Sequence, residues 1–289
     1  MKTRDFAYNL IILPFLLNHF KMQASFAQFL YSINNEYCTD VPSMIDTHRF
    51  VDDLMILLFP IKGNRKIDLR ETEIRLERMR LRLKELLIPL EKDIKESPEI
   101  IAKQFFDELP LVYKNLLDDA DTFMKSDPAA RCVEEVILCY PGYSCLVVHR
   151  LSHILYELEV PVLPRVMGEY MHGMTGIDIH PGATIGSNFF IDHGTGIVIG
   201  ETTVIGNNVK IYQGVTLGAI FVEKKMADIK RHPTIEDNVI IYAGSTMLGG
   251  KTIIGHDTVI GGNVWLTESV MPHSIVYRQH KAIIRDSKS

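Results

Sequence analysis

The chain has 289 residues, enough for two domains and a sizeable core, and its composition of 46% hydrophobic and 23% charged residues is that of an ordinary soluble globular protein. Asp and Glu number 36 against 31 Lys and Arg, a net charge of −5, which argues against a general nucleic-acid binder because such proteins are usually basic. Four cysteines, Cys38, Cys132, Cys139 and Cys145, form no CxxC pair and read as reduced thiols of a cytosolic, cytoplasmic protein; a zinc site needs closer ligand spacing.

Lys2 and Arg4 precede an apolar run from Ala7 to Leu17, which is too short for a membrane span and contains Pro14. It resembles a signal-peptide core, but no convincing small-residue cleavage site follows, so residues 1–21 read as a buried helix or an upstream extension in preference to a signal peptide, with Met22 an alternative start. Helices are predicted at about 22–33 and 45–60. From Leu69 to Ile94 a broad apolar stripe (Leu69, Ile74, Leu76, Met79, Leu83, Leu86, Leu87, Leu90) runs between charges, the pattern of a bundle helix with one solvated face. Ser97-Pro98-Glu99 reads as the start of a helix over 97–124, with Pro in the first turn. Further helices are predicted at 129–139, 142–158 and 161–171. Residues 1–172 are therefore assigned to a helical domain.

At Gly173 the helical period gives way to a period of six. Ile179, Ile185, Ile191 and Ile197 are six apart. A second phase runs Ile199, Ile205, Ile211, Leu217; a third runs Ile235, Ile241, Met247; a fourth runs Ile254, Ile260, Leu266. Glycine follows many of these, and small or β-branched residues sit four places later at Ala183, Thr195, Thr203, Val209 and Val215. This is a hexapeptide repeat, one short strand and one turn per unit, whose stacked coils share one aliphatic core. The fold class is α+β by segments, with a β-helix over 173–272 and a tail over 273–289. One insertion, 218–234, breaks the repeat, and loops on a rigid repeat scaffold are where binding residues tend to sit.

The polar residues inside this repeat are specific. GIDIHPGA, DHGTGIVIGET, YQGVTLG and RHPTI, behind a helical domain that carries SDPAA, resemble the serine O-acetyltransferases. The resemblance is motif by motif over about Ser126 to Pro272, and over the first 125 residues it is to a helical domain of the right kind. It implies a left-handed parallel β-helix, a homotrimer with sites between neighbouring subunits, and a dimer of trimers in many relatives. It implies transfer of an acetyl group from acetyl-CoA to the hydroxyl of L-serine, the first step of cysteine biosynthesis. The substrate brings its own nucleophile, so the protein needs a base of near-neutral pKa rather than a nucleophilic Ser or Cys. By resemblance His193 is that base and Asp178, fifteen residues earlier, orients it. Asp127 and Asp192 would contact the ammonium and hydroxyl of serine. Arg231 would clamp its carboxylate, with His232 as a second contact. His180 reads as a structural or a catalytic neighbour, and Glu201 as a partner of Arg231. Ala219, Ala243 and Gly262 match small positions of the coenzyme A groove, and Lys224, Lys225, Lys230 and Lys251 are available for its phosphates.

Two departures from the family pattern stand out. The loop before RHP, AIFVEKKMADIK, has no glycine between Gly218 and Arg231. The tail, VYRQHKAIIRDSKS, lacks the Ile terminus with which many relatives grip O-acetylserine sulfhydrylase, so no tight complex with that enzyme is expected. No metal, nucleic acid or membrane is expected as a partner. The competing readings are an O-acetyltransferase acting on a sugar or other hydroxyl acceptor, a β-helix hydratase using His180, His193 and His232 on a metal, and a non-enzymatic trimeric scaffold.

Overall fold

A computed structural model describes residues 25–37, 41–63, 66–221 and 229–279. The readings made for residues 1–21, Cys38, Lys224 and Lys225 lie outside these. The chain divides into two units, residues 1–41 and Pro42–Ser289. The first contains α1 (Phe26–Tyr37). It starts four residues later than predicted because Ser25 and Gln28 form a capping box, each side chain bonding the other's backbone N–H.

In the second unit the helices are α2 (Met44–Leu58), α3 (Leu69–Leu87), α4 (Pro98–Ser126), α5 (Val133–Cys139), α6 (Pro141–Glu157) and α7 (Leu163–Thr175). Ser43, Asp68 and Ser97 cap α2, α3 and α4, each accepting a backbone N–H three residues on. The α3 helix stops seven residues short of Ile94. Pro89 offers no N–H and crowds the preceding turn, so the chain tightens into a 3₁₀ turn at Ile88–Leu90. The α7 helix runs past Gly173 to Thr175, where Gly176, left-handed at φ 70°, donates its N–H to the His172 carbonyl and ends it.

The β-helix presents three parallel faces. The first stacks β1 (Asp178–Ile179), β4 (Val198–Ile199), β7 (Thr216–Gly218), β10 (Thr246–Leu248) and β13 (Trp265–Leu266). The second stacks β2 (Thr184–Ile185), β5 (Val204–Ile205), β8 (Thr234–Ile235) and β11 (Ile253–Ile254). The third stacks β3 (Phe190–Asp192), β6 (Lys210–Tyr212), β9 (Ile240–Ile241), β12 (Val259–Ile260) and β14 (Ile275–Val276). Asp178 pairs with Val198, Val198 with Thr216, Thr216 with Thr246 and Thr246 with Trp265, so the coils advance by 20, 18, 30 and 19 residues. The 30-residue step holds the predicted insertion.

Ile179, Ile185, Ile191, Ile199, Ile205, Ile211, Leu217, Ile235, Ile241, Met247, Ile254 and Ile260 are buried, as the repeat predicts. Ile197 is buried too, but out of the predicted phase. The corner after β3 holds two extra residues, so Ile199 succeeds Ile191 and Ile197 fills the slot expected for Thr195, which is exposed.

The helices and the β-helix share one core. Phe123 of α4 meets Phe190 of β3 edge-on, with centroids 4.9 Å apart. A Cβ on Gly142 of α6 would lie 2.8 Å from the Ile191 Cβ and carbonyl oxygen, so helix and strand touch backbone to backbone there. Beneath them lies an ion pair. Arg150 of α6 donates from Nε to Asp119 of α4 at 2.7 Å, from Nη1 to the Ile185 carbonyl at 3.1 Å and from Nη2 to the Gly186 carbonyl at 2.8 Å; the Phe189 N–H donates to the same carboxylate. Both side chains are nearly or fully inaccessible. Removing one partner strands the other charge. Asp119→Ala is expected to cost about 3–5 kcal/mol, read as a lower midpoint of denaturant unfolding, with Asp119→Asn between it and the native chain.

Candidate active site

The first polar cluster sits on the edge between the third and first faces. The corner Asp192-His193-Gly194-Thr195-Gly196 makes a wide turn with His193, Gly194 and Gly196 at φ 57°, 85° and 79°. Left-handed backbone is uncommon for a residue with a side chain and is held here by the coil on either side. At Gly194 no side chain fits, since a Cβ would stand 2.4 Å from Ile177 Cδ1. The turn carries His193 outward, its side chain 71% exposed, with Nδ1 3.7 Å from Asp192 Oδ1.

Asp127 faces this corner from the helical side. It caps the C-terminus of α4, and its Oδ1 accepts the Ala129 N–H at 2.8 Å. Tyr140 donates its hydroxyl to Asp127 Oδ2 at 2.5 Å. That bond, with the Ala129 N–H, holds the Asp127 carboxyl below its ordinary value, and the nearby His193 adds to the effect. The same bond, ahead of burial, pushes the Tyr140 phenol up to about 12. Tyr212, stacked on Tyr242 with centroids 5.0 Å apart, is raised by burial and then by Asp192 and Asp127. Asp127, Asp192 and His193 are therefore brought together, with Tyr140 and Tyr212 as neighbours.

Asp178 opens β1, one coil before this corner. Its N–H donates to the Ile197 carbonyl and its Oδ1 lies 3.9 Å from Arg165 Nη2 of α7. Among the described residues no hydrogen bond joins Asp178 to His193.

The second cluster sits on the edge between the first and second faces. Arg231 pairs with Glu201, which also accepts the Tyr156 hydroxyl at 3.0 Å. Arg231 holds the Glu201 carboxyl below its ordinary value against the effect of burial, and burial, ahead of Glu201, pushes Tyr156 up to about 12. Thr202 organises the RHP segment. Its hydroxyl oxygen accepts the Arg231 and His232 N–H groups at 2.9 and 3.0 Å and lies 2.9 Å from His232 Nδ1, which also accepts the Thr202 N–H at 3.0 Å. Nδ1 is thus an acceptor, and burial first, then Arg231, lowers His232 to about 4. His180 is lowered by burial, and its Nδ1 accepts the Gly182 N–H. His180, Glu201, Arg231 and His232 share this edge, while His193 stands on the other. The three histidines of the hydratase reading do not converge within one chain.

Ala243 and Gly262 lie on the His193 edge, two and three coils further on, linked by the Asn263 N–H to Ala243 carbonyl bond. A Cβ on Gly262 would lie 3.3 Å from that carbonyl oxygen, and Gly262 has no left-handed backbone to explain its choice. Ala219 is elsewhere, past the far end of β7. Lys230 is occupied, its Nζ donating to the Thr202 carbonyl at 2.6 Å and the Pro233 carbonyl at 3.1 Å. Lys251 is exposed. Tyr140, Tyr156, Thr202 and Arg165 were not singled out by the sequence; Thr202 stands in the GET motif beside Glu201 and Tyr140 immediately before Pro141.

The chain defines a left-handed β-helix acyltransferase by fold and site together. No protein-family model matches it. The plasmid serine acetyltransferase of Synechococcus elongatus is 51% identical over 181 residues, 61% of this chain and 56% of that protein. The serine acetyltransferase of Bacillus subtilis is 43% identical over 183 residues, 61% of this chain and 82% of that protein. Among solved structures, Entamoeba histolytica serine acetyltransferase 1 in complex with L-cysteine superposes with a TM-score of 0.71 at 36% identity, covering 79% of this chain and 86% of that one. The chain belongs to the serine acetyltransferase family.

The buried acceptor state of His232 has a pH consequence. An unfolded histidine takes its proton near pH 6.5, the folded His232 near 4, so between these values the unfolded chain binds more protons. Stability is expected to fall as pH drops through 6.5 towards 4. Imidazole NMR should show His232 neutral at pH 5.5, and His232→Gln should flatten the pH dependence of the unfolding midpoint over that range.

Proposed function

We propose that the protein is a serine O-acetyltransferase that moves the acetyl group of acetyl-CoA to the hydroxyl of L-serine, giving O-acetyl-L-serine and CoA for cysteine biosynthesis. The observation that carries this reading is the pair of half-sites: a base with two carboxylates on one edge, a guanidinium with two histidines on the other. His193 takes the hydroxyl proton as the serine oxygen attacks the thioester carbonyl. The C–O bond forms, the C–S bond breaks, and the proton passes from His193 to the departing thiolate. Asp178, on the adjacent coil and steadied by Arg165, orients the base once the site is filled; catalytic hydrogen bonds are often long in an empty site.

Asp127 and Asp192 hold the ammonium of serine, and Tyr140 keeps Asp127 ionised and aimed. Arg231, aimed by Glu201, takes the carboxylate, and the neutral His232 donates from Nε2. A sugar acceptor offers Arg231 no carboxylate, which disfavours that alternative. The relative solved with L-cysteine, an amino acid of serine's shape, agrees. Ala243 and Gly262 leave room along the His193 edge for the pantetheine arm, whose amides can pair with coil backbone.

Strand β4 separates the two half-sites within one chain. Their meeting therefore needs a second copy, as a closed trimer of stacked β-helices provides.

Free-thiol release from acetyl-CoA should occur with L-serine and not with homoserine or a galactoside. His193→Ala should lower kcat about 10²–10⁴-fold. Turnover with the sugar instead would leave the base in place and overturn the role given to Arg231.

The composite site has its own test. His193→Ala and Arg231→Ala chains, each inactive alone, should recover activity when co-refolded, at up to about a quarter of the native sites if they mix freely in a cyclic trimer. A mixture as inactive as its parents would place the whole site in one chain.

A further inference from the structure

The remaining edge of the β-helix, between the second and third faces, carries a ladder. Asn188, Asn208, Asn238, Asp257 and His273 sit two residues before the third-face strands of successive coils, all left-handed at φ 57–61°. The Asn188, Asn208 and Asn238 side-chain amides donate in turn to Asn208, Asn238 and Asp257 at 2.9, 3.0 and 3.0 Å. The last two rungs change chemistry. Asp257 accepts Asn238 on Oδ1 and turns Oδ2 towards two imidazoles. His256 Nδ1 is 2.7 Å from that oxygen and His273 Nδ1 3.7 Å, and the two rings meet edge-on with centroids 4.8 Å apart.

The geometry points to a divalent transition-metal site formed by His256, Asp257 and His273. One ligand atom from each lies within 4.8 Å of the others. Zinc bonds of about 2.0–2.2 Å in tetrahedral geometry need ligand atoms about 3.4 Å apart, so a small side-chain rotation suffices. Two imidazoles and one carboxylate favour zinc and its neighbours over magnesium or calcium.

The site is built as well as clustered. Asn238 fixes the carboxylate from behind, Glu236 accepts the His256 N–H at 2.8 Å, and the His273 N–H bonds the His256 carbonyl at 2.9 Å. This edge is neither of the two that carry the acyl-transfer residues, so the ion would not take part in that reaction. It would tie the turn before β14 to the coil beneath, at the end of the β-helix where Met271 and Ile275 are exposed.

The test titrates ZnCl₂ into the full chain by calorimetry and follows amide exchange of residues 271–276 with and without zinc. One site per chain is expected, with exchange slowed across that segment and no such effect of MgCl₂. Asp257→Asn and His273→Asn, which repeat the residue of the other rungs and so keep the turn, should each weaken the site at least tenfold; Asn238→Ala should weaken it about tenfold. Zinc that does not bind, binds the Asn variants as tightly as the native chain, or leaves exchange of 271–276 unchanged would overturn the assignment.

Discussion

The buried pair of Arg150 and Asp119 is the contact on which the geometry of the His193 half-site rests. It joins α4, α6 and the corner after β2 at one point, because Arg150 spends its remaining donors on the Ile185 and Gly186 carbonyls. From Asp119 the chain runs eight residues further to Asp127, the cap of α4, and α6 begins just after Tyr140. The Asp127–Tyr140 bond that faces His193 is therefore set by two helices whose angle to the coils is already fixed. A hydrophobic contact would tolerate sliding; a buried fork of directed hydrogen bonds does not. Taking two charges out of water is costly, so the arrangement is better read as setting register than as adding stability.

A second constraint is the stacking itself. Every strand pairs in parallel with the strand one coil away, so residues are sorted into columns whatever their spacing in sequence. The faces are short, and alternate side chains point into the core. Polar side chains gather at the three edges, where the backbone turns left-handed or opens into a loop. Each edge then repeats one chemistry along its length: small residues above His193, amides between the second and third faces, and the Glu201–Arg231 group where the insertion returns.

Much of this was legible in the sequence. Hexapeptide spacing reports directly on burial, and DHGTG, GET and RHP are contiguous motifs. Tyr140 on Asp127, Tyr156 on Glu201 and Thr202 on His232 join residues 13, 45 and 30 apart, and nothing local marks them. Ile197 misled because period six continues through it by coincidence, while the extra residues of the corner shift the strand register.

The extra residues at that corner also explain why an ionisable pair belongs in a small-residue repeat. The later corners of the same edge turn tightly, with Gly214 and Gly244 left-handed in the middle. At the first corner the coil step lengthens to 20 residues, and the added length is spent on lifting His193 clear of its own coil. His193 is thereby held out from its own coil, whereas Arg231 is drawn against its own edge by Glu201 and Thr202. The repeat thus fixes two complementary halves on separate edges, and the distance between them is a property of the prism rather than of any one side chain. On the proposed composite site, substitutions at either half would alter the chemistry, while altering how the halves meet would require changing the faces through which copies of the β-helix would pack.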